Sequence, residues 1–115
     1  MQREVLKYLH DIRESIVSIN DFLGGTRNFD DYKSNKLLRR GVERELEIIG
    51  EAVNRILKSD PAIIIDQSRR IVDLRNWVIH GYDKVDDMII WGIISKDIPR
   101  LEDQIIKLLH SEIPE

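Results

Sequence analysis

The chain contains no cysteine, which removes disulfides, thiolate metal sites and thiol nucleophiles together. Three histidines and the carboxylates are the only conceivable metal ligands left, so a structural zinc is not expected and no cofactor is called for. Long apolar runs are also missing. The longest uncharged one, Met88 to Ile94, spans seven residues, against the roughly 20 needed to cross a bilayer. Arg3, Glu4, Lys7 and His10 crowd the first ten residues, unlike the apolar centre of a signal peptide. A soluble, cytoplasmic protein with no membrane partner is expected. Nor is there an excess of positive charge. The net charge is −3, so contact with nucleic acid would have to come from a local patch, such as Arg39, Arg40, Arg44, Arg69, Arg70 and Arg75.

What is present fits one compact domain over residues 1–115, with 42% hydrophobic and 34% charged content. The apolar residues step at helical spacing. Val5, Leu9, Ile12, Ile16, Ile19 and Leu23 form one stripe that stops at Gly24-Gly25, predicting a first helix over about 2–23. Leu38, Val42, Leu46, Ile49, Val53 and Ile56 form a second, behind an Asp30-Asp31 start that suits the positive end of the helix dipole. That predicts one long helix over about 31–58. Gly41 and Gly50 inside it each cost about 1 kcal/mol against alanine, tolerable where another helix comes close.

Ser59-Asp60-Pro61 marks a break, with Asp60 as a cap and Pro61 opening a short turn before a third helix over about 66–80. Gly81 is its natural stop. A last stripe, Met88, Trp91, Ile94, Ile98, Leu101, Ile105 and Leu108, follows Asp86-Asp87 and contains Pro99, which is expected to bend it. No strand pattern, internal repeat or low-complexity tract competes. The expected fold is all-α: an antiparallel four-helix bundle with an extra short helical turn.

On the third helix Ile71, Leu74 and Val78 share one face, while Val72 and Ile79 fall on another sector beside Arg75 and Asn76. With Trp77 nearby, that second sector suggests a homodimer interface at Val72, Trp77 and Ile79; scattered surface aliphatics are the alternative.

The segment Arg75-Asn76-Trp77-Val78-Ile79-His80-Gly81-Tyr82 carries the chemistry. A permanently charged guanidinium suits a phosphate, and an imidazole exchanges a proton near neutral pH. Five residues apart, Arg75 and His80 point about 140° from each other on an ideal helix, whereas Asn76 and His80, four apart, lie one above the other. Asn76 can therefore orient the imidazole. The last helical turn favours a positive His80. Singly, each residue has a plainer explanation: an ion-paired arginine, a histidine at a helix end, a packing tyrosine. His10 and His110 read as exposed helix residues, Glu43, Glu45, Glu47 and Glu51 as a solvated, salt-bridged helix surface, and Asp86-Asp87 as helix-start electrostatics.

With arginine, polar residue, histidine and tyrosine at these spacings, the chain resembles the HEPN superfamily, and within it the HepT-type toxins of prokaryotic toxin–antitoxin pairs. The resemblance runs over the whole length and includes Gly50-Glu51-Ala52 and Asp97-Ile98-Pro99-Arg100-Leu101. It implies a HEPN-type bundle that dimerises near the motif helix. It further implies a metal-independent endoribonuclease, with Arg75 and His80 catalytic, Asn76 in support, and a site composed from two protomers. The implied partners are an RNA substrate, a second copy of the chain, and a minimal nucleotidyltransferase antitoxin that transfers AMP to Tyr82. A non-catalytic HEPN module that binds a nucleotide or a partner protein is the competing reading, and a structural helical adaptor a third.

Overall fold

The computed structural model describes residues 1–26, 28–66, 68–80 and 86–111, with the side chains of 75–80 outside the description. Helix α1 spans Arg3–Leu23, and its whole predicted stripe, Val5, Leu9, Ile12, Ile16, Ile19 and Leu23, is buried. Fully burying each such side chain contributes about 1.5–3 kcal/mol. Gly24, at φ 52, closes the helix by donating its N–H to the Asn20 carbonyl. That left-handed backbone suits glycine.

The predicted long second helix is two helices. A short α2, Phe29–Ser34, precedes α3, Lys36–Ser59, and Asn35 separates them at φ −105 and ψ 94. Asparagine side chains explain both starts. Asn28 Oδ1 accepts from the Asp31 N–H at 2.9 Å, and Asn35 Oδ1 accepts from the Leu38 N–H at 3.0 Å. Each such cap is worth about 1 kcal/mol, and at Asn35 it offers the backbone an alternative to continuing the helix. The break turns Tyr32 into the core, where its ring meets Trp91 with centroids 5.3 Å apart.

Helix α3 packs on α1 along one side and on α4, Ser68–His80, along another. The α1 and α3 chains run antiparallel. Tyr8 lies opposite Glu51 and Ala52, while at the other end a β carbon on Gly41 would sit 3.1 Å from the Phe22 ring. Gly41 thus gives room to a neighbouring helix, as expected, and Gly50 is buried. Between α3 and α4 the Asp60 side chain accepts from the Ala62 N–H at 3.2 Å. The following strip alternates, with Ile63 and Ile65 buried and Ile64 exposed. Ile71 and Leu74 seat α4 in the core, and Val72 is half-buried against its edge.

The final helix is also interrupted. Helix α5, Asp87–Gly92, passes through a π-helical turn, Ile93–Asp97, into α6, Ile98–His110. Pro99 gives the physical reason: it has no N–H to donate, and its ring would crowd the carbonyl four residues back in a regular α-helix. The wider turn takes up the conflict, with the Ile98 N–H bonding to the Ile93 carbonyl. Asp86 caps α5, its Oδ1 accepting from the Met88 N–H at 2.9 Å. Among the described residues the fold is all-α, a HEPN-type helical bundle. None of their helices is long and apolar enough to cross a membrane.

The Tyr32 phenol is fully buried and its oxygen has no hydrogen-bond partner among the described residues. Burial, reinforced by the Glu43 and Asp87 carboxylates and opposed by Arg39, pushes it well above the ordinary tyrosine range. The folded protein therefore holds the phenol neutral where the unfolded chain ionises it, above about pH 10. A raised folded-state pKa contributes stability below that pH which is lost as pH rises past it. Tyr32→Phe should remove this alkaline loss and, by deleting an unsatisfied hydroxyl, leave stability at pH 7 within about 1 kcal/mol of wild type or higher. Urea titrations of both proteins at pH 7 and 10.5 test this. A loss of more than about 2 kcal/mol at pH 7 would mean that the hydroxyl is bonded.

Candidate functional site

Arg75, Asn76 and His80 all lie on α4, and His80 is its last residue. Their side chains, with those of Trp77 and Ile79, lie outside the description. So do the whole of Gly81, the predicted helix stop, and Tyr82. The backbone register is clear. Five residues at about 1.5 Å each place the Arg75 and His80 Cα atoms roughly 7.5 Å apart along the axis. Opposite the buried Ile71 and Leu74, the positions of Arg69, Asp73, Asn76 and His80 follow one another along a single strip of the helix. Two open grooves, of about 620 and 230 Å³, run between α1 and α3. Their described lining residues all come from α1 and α3.

The arginines of the expected basic patch differ in what they meet. Arg39 donates to the Lys33 carbonyl and lies 3.9 Å from Asp87. Arg40 reaches Glu43 at 3.0 Å and Arg44 reaches Glu47 at 3.2 Å. Arg70 Nε stands 3.0 Å from Asp97 Oδ2. The exposed Arg44–Glu47 pair adds little stability, while the Arg40 pair is buried on its carboxylate side; both place a compensating negative charge beside the guanidinium. Arg69 is exposed and makes no ion pair among the described residues.

The acidic residues also sort themselves. Glu47 pairs with Arg44 and Glu51 with Arg55 at 2.8 Å, as a salt-bridged helix surface requires. Glu43 departs from that expectation. It is buried, at 8% exposure, because it sits one position after Val42 on the inward side of α3, beside Tyr32. His10 and His110 are exposed.

Asp97 is the site feature that the sequence signalled without its meaning. It lies in the core-facing series Ile90, Ile94, Asp97, Leu101 and Ile105, all buried. A carboxylate in such a series is costly unless paired. It meets Arg70 of the motif helix at 3.0 Å, without hydrogen-bond alignment at Oδ2, so that contact is chiefly coulombic. About two turns further on, in α6, the Gln104 side-chain oxygen accepts from the Asp66 N–H at 3.1 Å. The start of α4 is thus tied to α6 by polar contacts.

An all-α bundle that carries an arginine, four intervening residues and a terminal histidine on one helix fits the HEPN class. The family model described as "Ribonuclease HepT-like" matches residues 12–108, and the chain belongs to that family. A Thermococcus cleftensis protein named "Probable ribonuclease HepT" is 35% identical over 111 residues, covering 94% of this chain and 98% of its own. The Methanocaldococcus jannaschii protein named "Putative RNase MJ1380" is 34% identical over 111 residues, covering 90% and 95%. One from Caldanaerobacter subterraneus, named "Putative RNase TTE0752", is 37% identical over 86 residues, covering 74% and 77%. No solved structure matches.

Proposed function

We propose that the protein is a metal-independent endoribonuclease acting as the toxin of a toxin–antitoxin pair. The observation that carries this reading is the intact sequence set of Arg75, Asn76, His80 and Tyr82, the first three of them on α4, in a chain of the HepT-like ribonuclease family. Cleaving RNA by attack of the 2′-hydroxyl needs a base on that hydroxyl, an acid on the departing 5′-oxygen and positive charge on the phosphorane. One chain offers a single motif histidine. A two-fold axis close to α4 supplies two copies of His80, one as base and one as acid, and two of Arg75 for charge. Asn76, one turn before His80, orients the imidazole. The products are a 2′,3′-cyclic phosphate and a 5′-hydroxyl.

Val72, Trp77 and Ile79 are the proposed dimer contacts. Val72 is already half-buried at the core edge, so it serves both the bundle and the interface. The partner antitoxin is a minimal nucleotidyltransferase that places AMP on Tyr82. A nucleotide phosphate two residues from His80 adds negative charge and bulk where the RNA phosphate must sit, which suffices to silence the site. Arg69 extends the strip of Asn76 and His80 toward the flanking phosphates.

Purified protein should cut RNA in EDTA with a bell-shaped pH profile in the histidine range, and His80→Ala should lower the rate at least about a hundredfold. Strict dependence on an added divalent ion would remove the metal-free mechanism. Val72→Asp/Ile79→Asp should give a helical monomer by sedimentation that no longer cuts.

For substrate binding, Arg69→Ala should weaken affinity for all RNA sequences alike and reduce the salt slope by about one, while Arg40→Ala changes it less. Equal slopes for wild type and Arg69→Ala would take Arg69 out of the substrate path.

Tyr82→Phe should keep most cleavage activity yet escape modification by the cognate nucleotidyltransferase and ATP, because a neutral phenol is a poor acid or base at pH 7. Intact mass decides: a gain of AMP on wild type alone, with loss of cleavage, is expected. Equal modification and silencing of both proteins would show that Tyr82 is not the switch.

A further inference from the structure

The geometry points to the Arg70–Asp97 pair as a positioning device that sets the register of the motif helix, an inference that rests on the two-protomer site of the proposed function. Helix α4 is held in the described core by Ile71 and Leu74, both in its first half. Apolar contacts of that kind are non-directional, and they leave a short helix free to slide or turn by a fraction of a residue. Catalytic groups tolerate far less. A displacement of about 1 Å at a composed site is enough to cost about a hundredfold in rate. Arg70 lies five residues before Arg75 and ten before His80 on the same helix, so fixing Arg70 fixes the axial position of both.

Asp97 is suited to be the fixed end. It sits in the π turn ahead of Pro99, is 5% exposed, and belongs to a helix whose Ile98, Leu101 and Ile105 are anchored in the core. The Asp66–Gln104 contact repeats the tie at the start of α4. Stability does not explain the choice of residues. Taking the Asp97 carboxylate out of water is costly, and the Arg70 guanidinium, which stays 57% exposed, recovers only part of that cost, so apolar residues at both positions should be neutral or stabilising. An aliphatic residue at position 97 would continue the stripe of its neighbours. A charged residue there adds what the stripe lacks, a point contact to one atom of α4.

The test separates registry from mere stability. In Arg70→Met/Asp97→Leu the melting temperature should be held or raised. Amide exchange across Ile71 to His80 should speed up at least about tenfold while α1 and α3 stay protected. kcat on an RNA substrate should fall about tenfold or more, with KM within about twofold. A structural role alone predicts the opposite pattern, with activity following the melting temperature. The isosteric Asp97→Asn, measured the same way, covers the case in which the double variant does not fold. Unchanged exchange across α4 overturns the inference whatever the activity, and so does wild-type kcat in a variant whose α4 exchanges faster. If wild type itself fails to cut RNA, the proposed function fails, and the exchange measurement still decides whether Asp97 holds the helix.

Discussion

Helix α3 has to bury apolar surface against two neighbours at once, and the rest of the fold follows from that constraint. Leu38, Val42, Leu46, Ile49, Val53 and Ile56 are all buried, and both α1 and α4 pack on this helix. A single-faced stripe serves one partner; serving two requires small or accommodating positions at its margins. Buried Gly50 and Ala52 provide them near the second half of the helix, and Gly41 does so beneath Phe22. The cost in helix propensity, about 1 kcal/mol per glycine, is offset by contacts that a β-substituted residue would force apart. With α3 satisfied on both sides, α4 is seated through Ile71 and Leu74, with Arg69 and Asp73 exposed on its opposite side.

The sequence made the stripes legible because burial on a regular helix imposes its period on residue type. Every apolar member read for α1 and α3 is buried, and the start of α4 falls within two residues of its expected place. Interruptions were harder to see. Asn35 breaks the second helix because its side chain can take the Leu38 N–H, but an asparagine inside a helix leaves the same letter in the sequence. Pro99 announced a disturbance and not its form: both a kink and a π turn relieve the same clash, and the choice depends on how α5 and α6 are held at either end. For the site, the letters Arg75, Asn76, His80 and Tyr82 revealed its chemistry, whereas the contact between Arg70 and Asp97 joins residues 27 apart and has no local signature.

Three polar residues take inward positions on three different elements. Tyr32 on α2, Glu43 on α3 and Asp97 in the π turn are each buried where an aliphatic residue would pack at less cost. Tyr32 feels Glu43 and Asp87 directly, Asp87 faces Arg39 across from α3, and Asp97 faces Arg70 on α4. Asp87 follows His80 by seven residues, and Arg70 precedes it by ten. Arg70 on α4 and Asp87 on α5, which pair with Asp97 and Arg39, thus bracket the motif in sequence. Apolar packing alone would hold these elements together without fixing how far each is turned or advanced.

That distinction bears on how a bundle can host a site composed from two copies. Two half-sites meet correctly only if each protomer presents its helix at the same height and rotation, so any slack in one chain is doubled at the axis. A hydrophobic core tolerates such slack, since sliding a stripe by a small step changes little buried area. A charge pair with a buried member does not tolerate it, because moving the partners apart leaves an uncompensated group in a poorly solvated place. The bundle accepts the desolvation cost of Glu43 on α3 and of Asp97 in the π turn, and each of these carboxylates meets an arginine, Arg40 and Arg70. In this chain the apolar stripes of α1 and α3 supply much of the core, and the Arg70–Asp97 contact adds to that packing a directional tie between α4 and the π turn.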